Sequence, residues 1–113
     1  MRDIASCLKD ILGAIEAIDA FIANMDFDAF IRDNKTKSAV IAQLAMMGEA
    51  AKMIPQSVRT AHPDVSWKNM SGMRDRLIHG YFRVDYELVW HTITVVLPIE
   101  KRVIERMLEK PTF

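Results

Sequence analysis

Branched aliphatic residues recur through the first part of this chain at Ile4, Leu8, Ile11, Ile15, Ile18 and Ile22, at spacings of 4, 3, 4, 3 and 4. That rhythm puts all six on one stripe of an α-helix but scatters them over both faces of a strand, so the segment must fold as a helix with one buried side. The helix is predicted over about Arg2 to Asn24. No strand-like alternation, internal repeat or low-complexity segment follows it. Half of the 113 residues are apolar and only four are Gly and four Pro, the composition of a folded, mostly helical chain. Eight methionines fit the same picture, because Met fills irregular gaps between helices. The length allows one small domain, taken as residues 1–113.

Further helices are marked by their stops and caps. Between Asp26 and Asn34 a polar segment holding Phe27, Phe30 and Ile31 is expected to form a short helical turn over the end of the core. A second long helix is predicted from about Lys35 to Ile54, stopped by Pro55. Val40, Leu44, Met47, Ala51 and Ile54 share one side of it, while Ala42, Met46 and Met53 lie opposite with Glu49. A helix apolar on both sides needs two packing partners: either a subunit interface covers the second side, or the helix is central within the monomer.

One helical turn is expected near Ser57 to Ala61, and a third helix from Ser66 or Trp67 to His79, where Gly80 suits the exit. Asp85 is the expected N-cap of a last helix reaching about Glu109, with Pro98 kinking it rather than ending it. The fold class is all-α: a four- to five-helix up-and-down bundle with a kinked C-terminal helix.

Charge and cysteine content exclude several classes. The formal net charge is zero, which argues against coating nucleic acid by bulk electrostatics. Distribution is uneven, however: residues 1 to 33 carry three basic and seven acidic side chains, and Lys68 to Arg83 carry four basic against one acidic. A single cysteine, Cys7, cannot close an intramolecular disulfide, and the N-terminus has no signal-like core, so the expected address is cytoplasmic. The longest uncharged apolar run, Leu88 to Ile99, is short of the roughly 20 residues that span a bilayer. His62, His79 and His91 are too scattered for a zinc site, and no phosphate-binding glycine loop occurs. No metal or cofactor is expected. Ser71 and Cys7 lack an activating base at readable spacing. Trp67, Trp90 and Tyr86, set among aliphatics, are expected to anchor packing rather than stack bases.

Positive charge collects around GMRDRLIHGY, Gly72 to Tyr81. Arg74 offers a guanidinium that holds a phosphate bidentately, and His79 an imidazole that moves protons near neutral pH. At a helix C-terminus the protonated imidazole is favoured by the carbonyl end of the dipole. The two are five residues apart, about 140° around an ideal helix, so one helix cannot present both on one face. Either the helix end bends them together or a second subunit completes the site. Asp75 and Glu49 are candidate supporting residues. Asp75 is placed to orient a neighbouring arginine or the histidine. Glu49, among Met46, Ala50 and Met53, needs water or a cation; Arg74, Arg76 or a partner subunit is one source, and simple exposure beside Lys52 is the other reading.

Arg74, Asp75 and His79 resemble the motif of the HEPN superfamily, an Arg followed by a polar residue and a His four to six residues on. Arg74, His79 and Tyr81 match the R-x4-H-x-Y extension of HepT-type toxins. GEAAK at Gly48 to Lys52, SWKNMSGMRDRLIHGYF at Ser66 to Phe82 and VDYELVW at Val84 to Trp90 are similar to the same family, in order along nearly the whole chain. Asp75 departs mildly from the Asn common at that position. The resemblance implies a homodimer whose motifs meet at the subunit interface. It further implies a metal-independent endoribonuclease acting on cellular RNA such as tRNA or mRNA, the toxin of a type VII (HEPN–MNT) toxin–antitoxin pair. It implies, finally, an MNT-type nucleotidyltransferase antitoxin as partner, which in some pairs transfers AMP to the tyrosine, here Tyr81.

Overall fold

The computed structural model describes residues 3–79, 83–111 and 113, with the side chains at 74 and 77–79 outside that description. Its described residues form helices α1 (Ile4–Phe21), α2 (Phe27–Arg32), α3 (Asn34–Lys52), α4 (Gln56–Ala61), α5 (Trp67–His79), α6 (Tyr86–His91) and α7 (Leu97–Glu109), and a π-helical segment (Thr92–Val96) joins the last two. The all-α expectation holds. Asp3 caps α1, its Oδ1 accepting the Ser6 N–H at 2.7 Å. Of the predicted stripe, Leu8, Ile11, Ile15 and Ile18 are wholly buried, and Ile4 and Ile22 pack partly exposed at its ends. The helix ends at Phe21, three residues before the predicted limit, and Asn24 then takes the left-handed φ of 65° that an Asn side chain tolerates.

The expected turn near Phe30 is α2, and it covers the core with aromatic surface. Phe30 is wholly buried, with its ring centroid 5.0 Å from that of Trp90 and 6.2 Å from that of Tyr86. Asp33 closes α2 and opens α3 at once: its Oδ1 accepts the Thr36 N–H at 3.0 Å and its Oδ2 the Thr36 hydroxyl at 2.8 Å. Those bonds to the ionised form, the Thr36 backbone first, hold the carboxyl below its usual value. At the other end of α3, ahead of Pro55, the Arg59 guanidinium donates to the carbonyls of Ala51 (2.7 Å) and Ile54 (3.0 Å), where helix termini leave acceptors unsatisfied.

Within the bundle α3 packs against α1 on one flank and α5 on the other, and α1 packs in turn against α7 and the π segment. Neither α1 nor α5 covers the side of α3 that carries Ala42, Met46, Glu49 and Met53, all of which are exposed, so the helix is not enclosed on both sides within one chain. Along the C-terminal helix the sequence predicts a kink at Pro98; the structure changes register in the preceding turn. Pro98 has no N–H for the Thr94 carbonyl, and the Leu97 N–H bonds the Thr92 carbonyl five residues back. The Thr92 and Thr94 hydroxyls bond the carbonyls of Leu88 (2.8 Å) and Trp90 (2.6 Å). No described helix is long and apolar enough to cross a membrane.

Candidate active site

The helix that carries the Arg–His motif is anchored at its start. Trp67 is buried and its indole N–H donates to the His62 carbonyl at 2.9 Å, and Met70 is buried one turn on. Ahead of Trp67, Ser66 is held by Glu100 of α7, whose Oε1 accepts the Ser66 N–H at 3.2 Å and also the Ser66 hydroxyl. Glu100 is only 4 % exposed. Sequence reasoning did not single it out, yet a signal was present: Ile93, Leu97, Glu100 and Ile104 run at spacings of 4, 3 and 4, and the carboxylate occupies a core slot of the stripe. Buried carboxylates need donors, and the start of α5 supplies two.

Arg74 and His79 both lie within α5, which stays helical through His79. The backbone therefore does not unwind between them, and the separation of about 140° is retained within one subunit. Their side-chain geometry lies outside the described residues, as do Gly80 and Tyr81. Glu49 and Asp75, picked out separately in the sequence, are brought together by Lys52 at the end of α3. Its Nζ stands 3.9 Å from Glu49 Oε1 and 3.5 Å from Asp75 Oδ1. Glu49 lies beside Lys52 with its side chain 54 % exposed. Pairs this exposed orient charge more than they stabilise.

On its other flank α5 faces the C-terminal helix across two adjoining grooves of about 230 and 190 Å³. Met73, Arg76, Leu88 and Thr92 line both. His91 lines the first groove and Arg83 the second. Arg76 donates to the Asn69 carbonyl at 3.3 Å. Position 79 follows Arg76 by three residues, about one turn of α5. Among the described residues no group of three or more His, Cys, Asp and Glu is placed to hold a metal ion.

A helical bundle with an arginine and a histidine on one edge helix defines a class by fold and motif, and comparison with known proteins makes it specific. Residues 11–107 match the model of the family described as Ribonuclease HepT-like. A Methanocaldococcus jannaschii protein named "Putative RNase MJ0125" is 42% identical over 108 residues, covering 96% of this chain and 93% of its own. "Probable ribonuclease HepT" of Thermococcus cleftensis is 42% identical over 100 residues, 88% of this chain and 91% of its own. "Putative RNase TTE0752" of Caldanaerobacter subterraneus subsp. tengcongensis is 35% identical over 103 residues, 91% and 92% of the two chains. No solved structure matches the chain. The chain belongs to the HepT-like ribonuclease family.

Proposed function

We propose that this protein is the toxin of a type VII toxin–antitoxin pair, a metal-independent endoribonuclease that works as a homodimer. The observation that carries this reading is family membership over residues 11–107 combined with Arg74 and His79 on one unbroken helix. Because positions five apart on an unbroken helix are about 140° apart around its axis, the active cleft is built from two copies, each giving one side of α5. His79 of one copy takes the proton of a ribose 2′-hydroxyl as that oxygen attacks phosphorus, and His79 of the second copy protonates the departing 5′-oxygen. Arg74 stabilises charge on the phosphoryl oxygens. The products are a 2′,3′-cyclic phosphate and a 5′-hydroxyl. Asp75 and Glu49, linked by Lys52, support the motif helix from the α3 side.

Restraint comes from an MNT-type nucleotidyltransferase partner that transfers AMP to Tyr81, setting an anion beside the site where it repels an RNA phosphate. The test is induced expression of the chain alone, beside Arg74→Ala, His79→Ala and Tyr81→Phe. Growth arrest by the parent and by Tyr81→Phe, abolished by Arg74→Ala and His79→Ala with folding and dimerisation intact, is expected. In vitro, RNA cleavage by His79→Ala is expected to fall by about 10²-fold or more. Equal toxicity, or equal harmlessness, of the parent and the Arg74 and His79 variants would remove these residues from catalysis.

A further inference from the structure

The grooves between α5 and the C-terminal helix combine an apolar floor with unbalanced positive charge. Their shared wall is Met73, Leu88 and Thr92, and Leu88 remains 51 % exposed. Arg76 and Arg83 are exposed at the rim. Among the described residues neither guanidinium is paired with a carboxylate, whereas both acids of the groove are engaged in the fold. Glu100 accepts from Ser66, and Asp85 Oδ1 caps α6 by accepting the Leu88 N–H at 3.1 Å. Arg76 gives one donor to the Asn69 carbonyl and keeps the rest of its five for an anion. Apolar side chains suit the faces of a nucleobase, and a guanidinium suits a phosphate. This chemistry stands about one turn of α5 before position 79.

We infer that this groove is an RNA subsite: it seats a nucleotide next to the scissile bond, the base against Met73 and Leu88 and its phosphate on Arg76 and Arg83. The inference rests on the ribonuclease reading above and adds residues outside the Arg74–His79 motif. The rival occupant is a second copy of the chain, with Leu88 buried at the interface.

The full-length protein is titrated with a 2′-O-methyl RNA oligonucleotide, which binds but offers no 2′-hydroxyl for cleavage, across a range of salt concentrations. Arg76→Gln/Arg83→Gln is expected to bind at least about tenfold more weakly, with a salt slope shallower by roughly 0.7 per lost phosphate contact. Leu88→Ala is expected to weaken binding with the slope unchanged, since it removes a base contact and no charge. Arg32→Gln/Arg106→Gln, which removes equal charge from exposed positions outside the groove lining, is expected to leave affinity within about twofold of the parent at physiological salt, where exposed charges are screened. Unchanged affinity and slope for Arg76→Gln/Arg83→Gln, in a protein whose RNA cleavage still depends on Arg74, would overturn the subsite and leave the proposed function standing. A shift from dimer to monomer in Leu88→Ala, with affinity per dimer unchanged, would assign the groove to the second copy. A parent that neither binds nor cleaves RNA would overturn both.

Discussion

The two flanks of the bundle are built differently. On one, α1 buries Leu8, Ile11, Ile15 and Ile18 completely, with α3 and the C-terminal helix packed against it. On the other, α5 packs against α3 but meets the C-terminal helix across grooves, joined at their base by the Ser66–Glu100 bonds. The first flank holds the wholly buried aliphatic stripe, and the second carries the motif helix. The α1–α3 seam is also grooved at its surface, by a cavity of about 600 Å³ lined by Lys9, Asp10, Gln43, Met46 and Met53, but the Arg–His motif lies on α5, whose Arg76 edge is accessible. The motif helix is held at its start by a buried carboxylate in addition to its packing on α3.

Substitutions that damage one flank and spare the other test this contrast. The largest effect is expected on the closed side: Ile15→Ala should lower unfolding free energy by about 2–5 kcal/mol, measured by denaturant titration, because it opens a cavity that close packing cannot refill. Glu100→Ala should cost about 1–3 kcal/mol, since it strands the Ser66 N–H at the start of α5. Hydrogen exchange should then rise first in α5, with α1 still protected; uniform loss across both helices would mean that the two flanks do not differ.

Lys52→Gln should change stability by no more than about 1 kcal/mol, because the Glu49 and Asp75 pairs are exposed, and salt should shrink even that difference. The smallest effect expected is at Asp33, distant in sequence from the motif. Its folded carboxyl titrates below the ordinary 3.8, so its contribution is present above that value and is lost as pH falls through the lower folded value. The melting-temperature gap between the parent and Asp33→Asn should therefore be full at neutral pH and close in strong acid.

Much of the architecture was legible in local patterns. The stripe from Leu8 to Ile18, the stop at Pro55 and the cap at Asp85 depend on neighbours within one or two turns, and all three are found in the structure. Pro98 announced a break but not its form, since π-helical register is shared among five residues and the threonines before them. The two-sidedness of α3 was visible in Met46 and Met53, but pattern alone did not say that α1 and α5 would pack elsewhere on the helix and leave both methionines exposed. Lys52 escaped notice as the link between Glu49 and Asp75 because it is 23 residues from Asp75 in the chain.

By itself the sequence determined a helical bundle, the buried face of its first helix and the placing of Arg74 and His79 on one helix, because period, caps and breakers act over short stretches of chain. It also carried the family, through motifs that lie in order along it. Only the tertiary structure decided where the grooves beside α5 run, that Glu100 holds the start of the motif helix, and that Arg76, Arg83 and Leu88 share one surface. Those outcomes depend on contacts between residues as far apart as Ser66 and Glu100, which no local periodicity encodes.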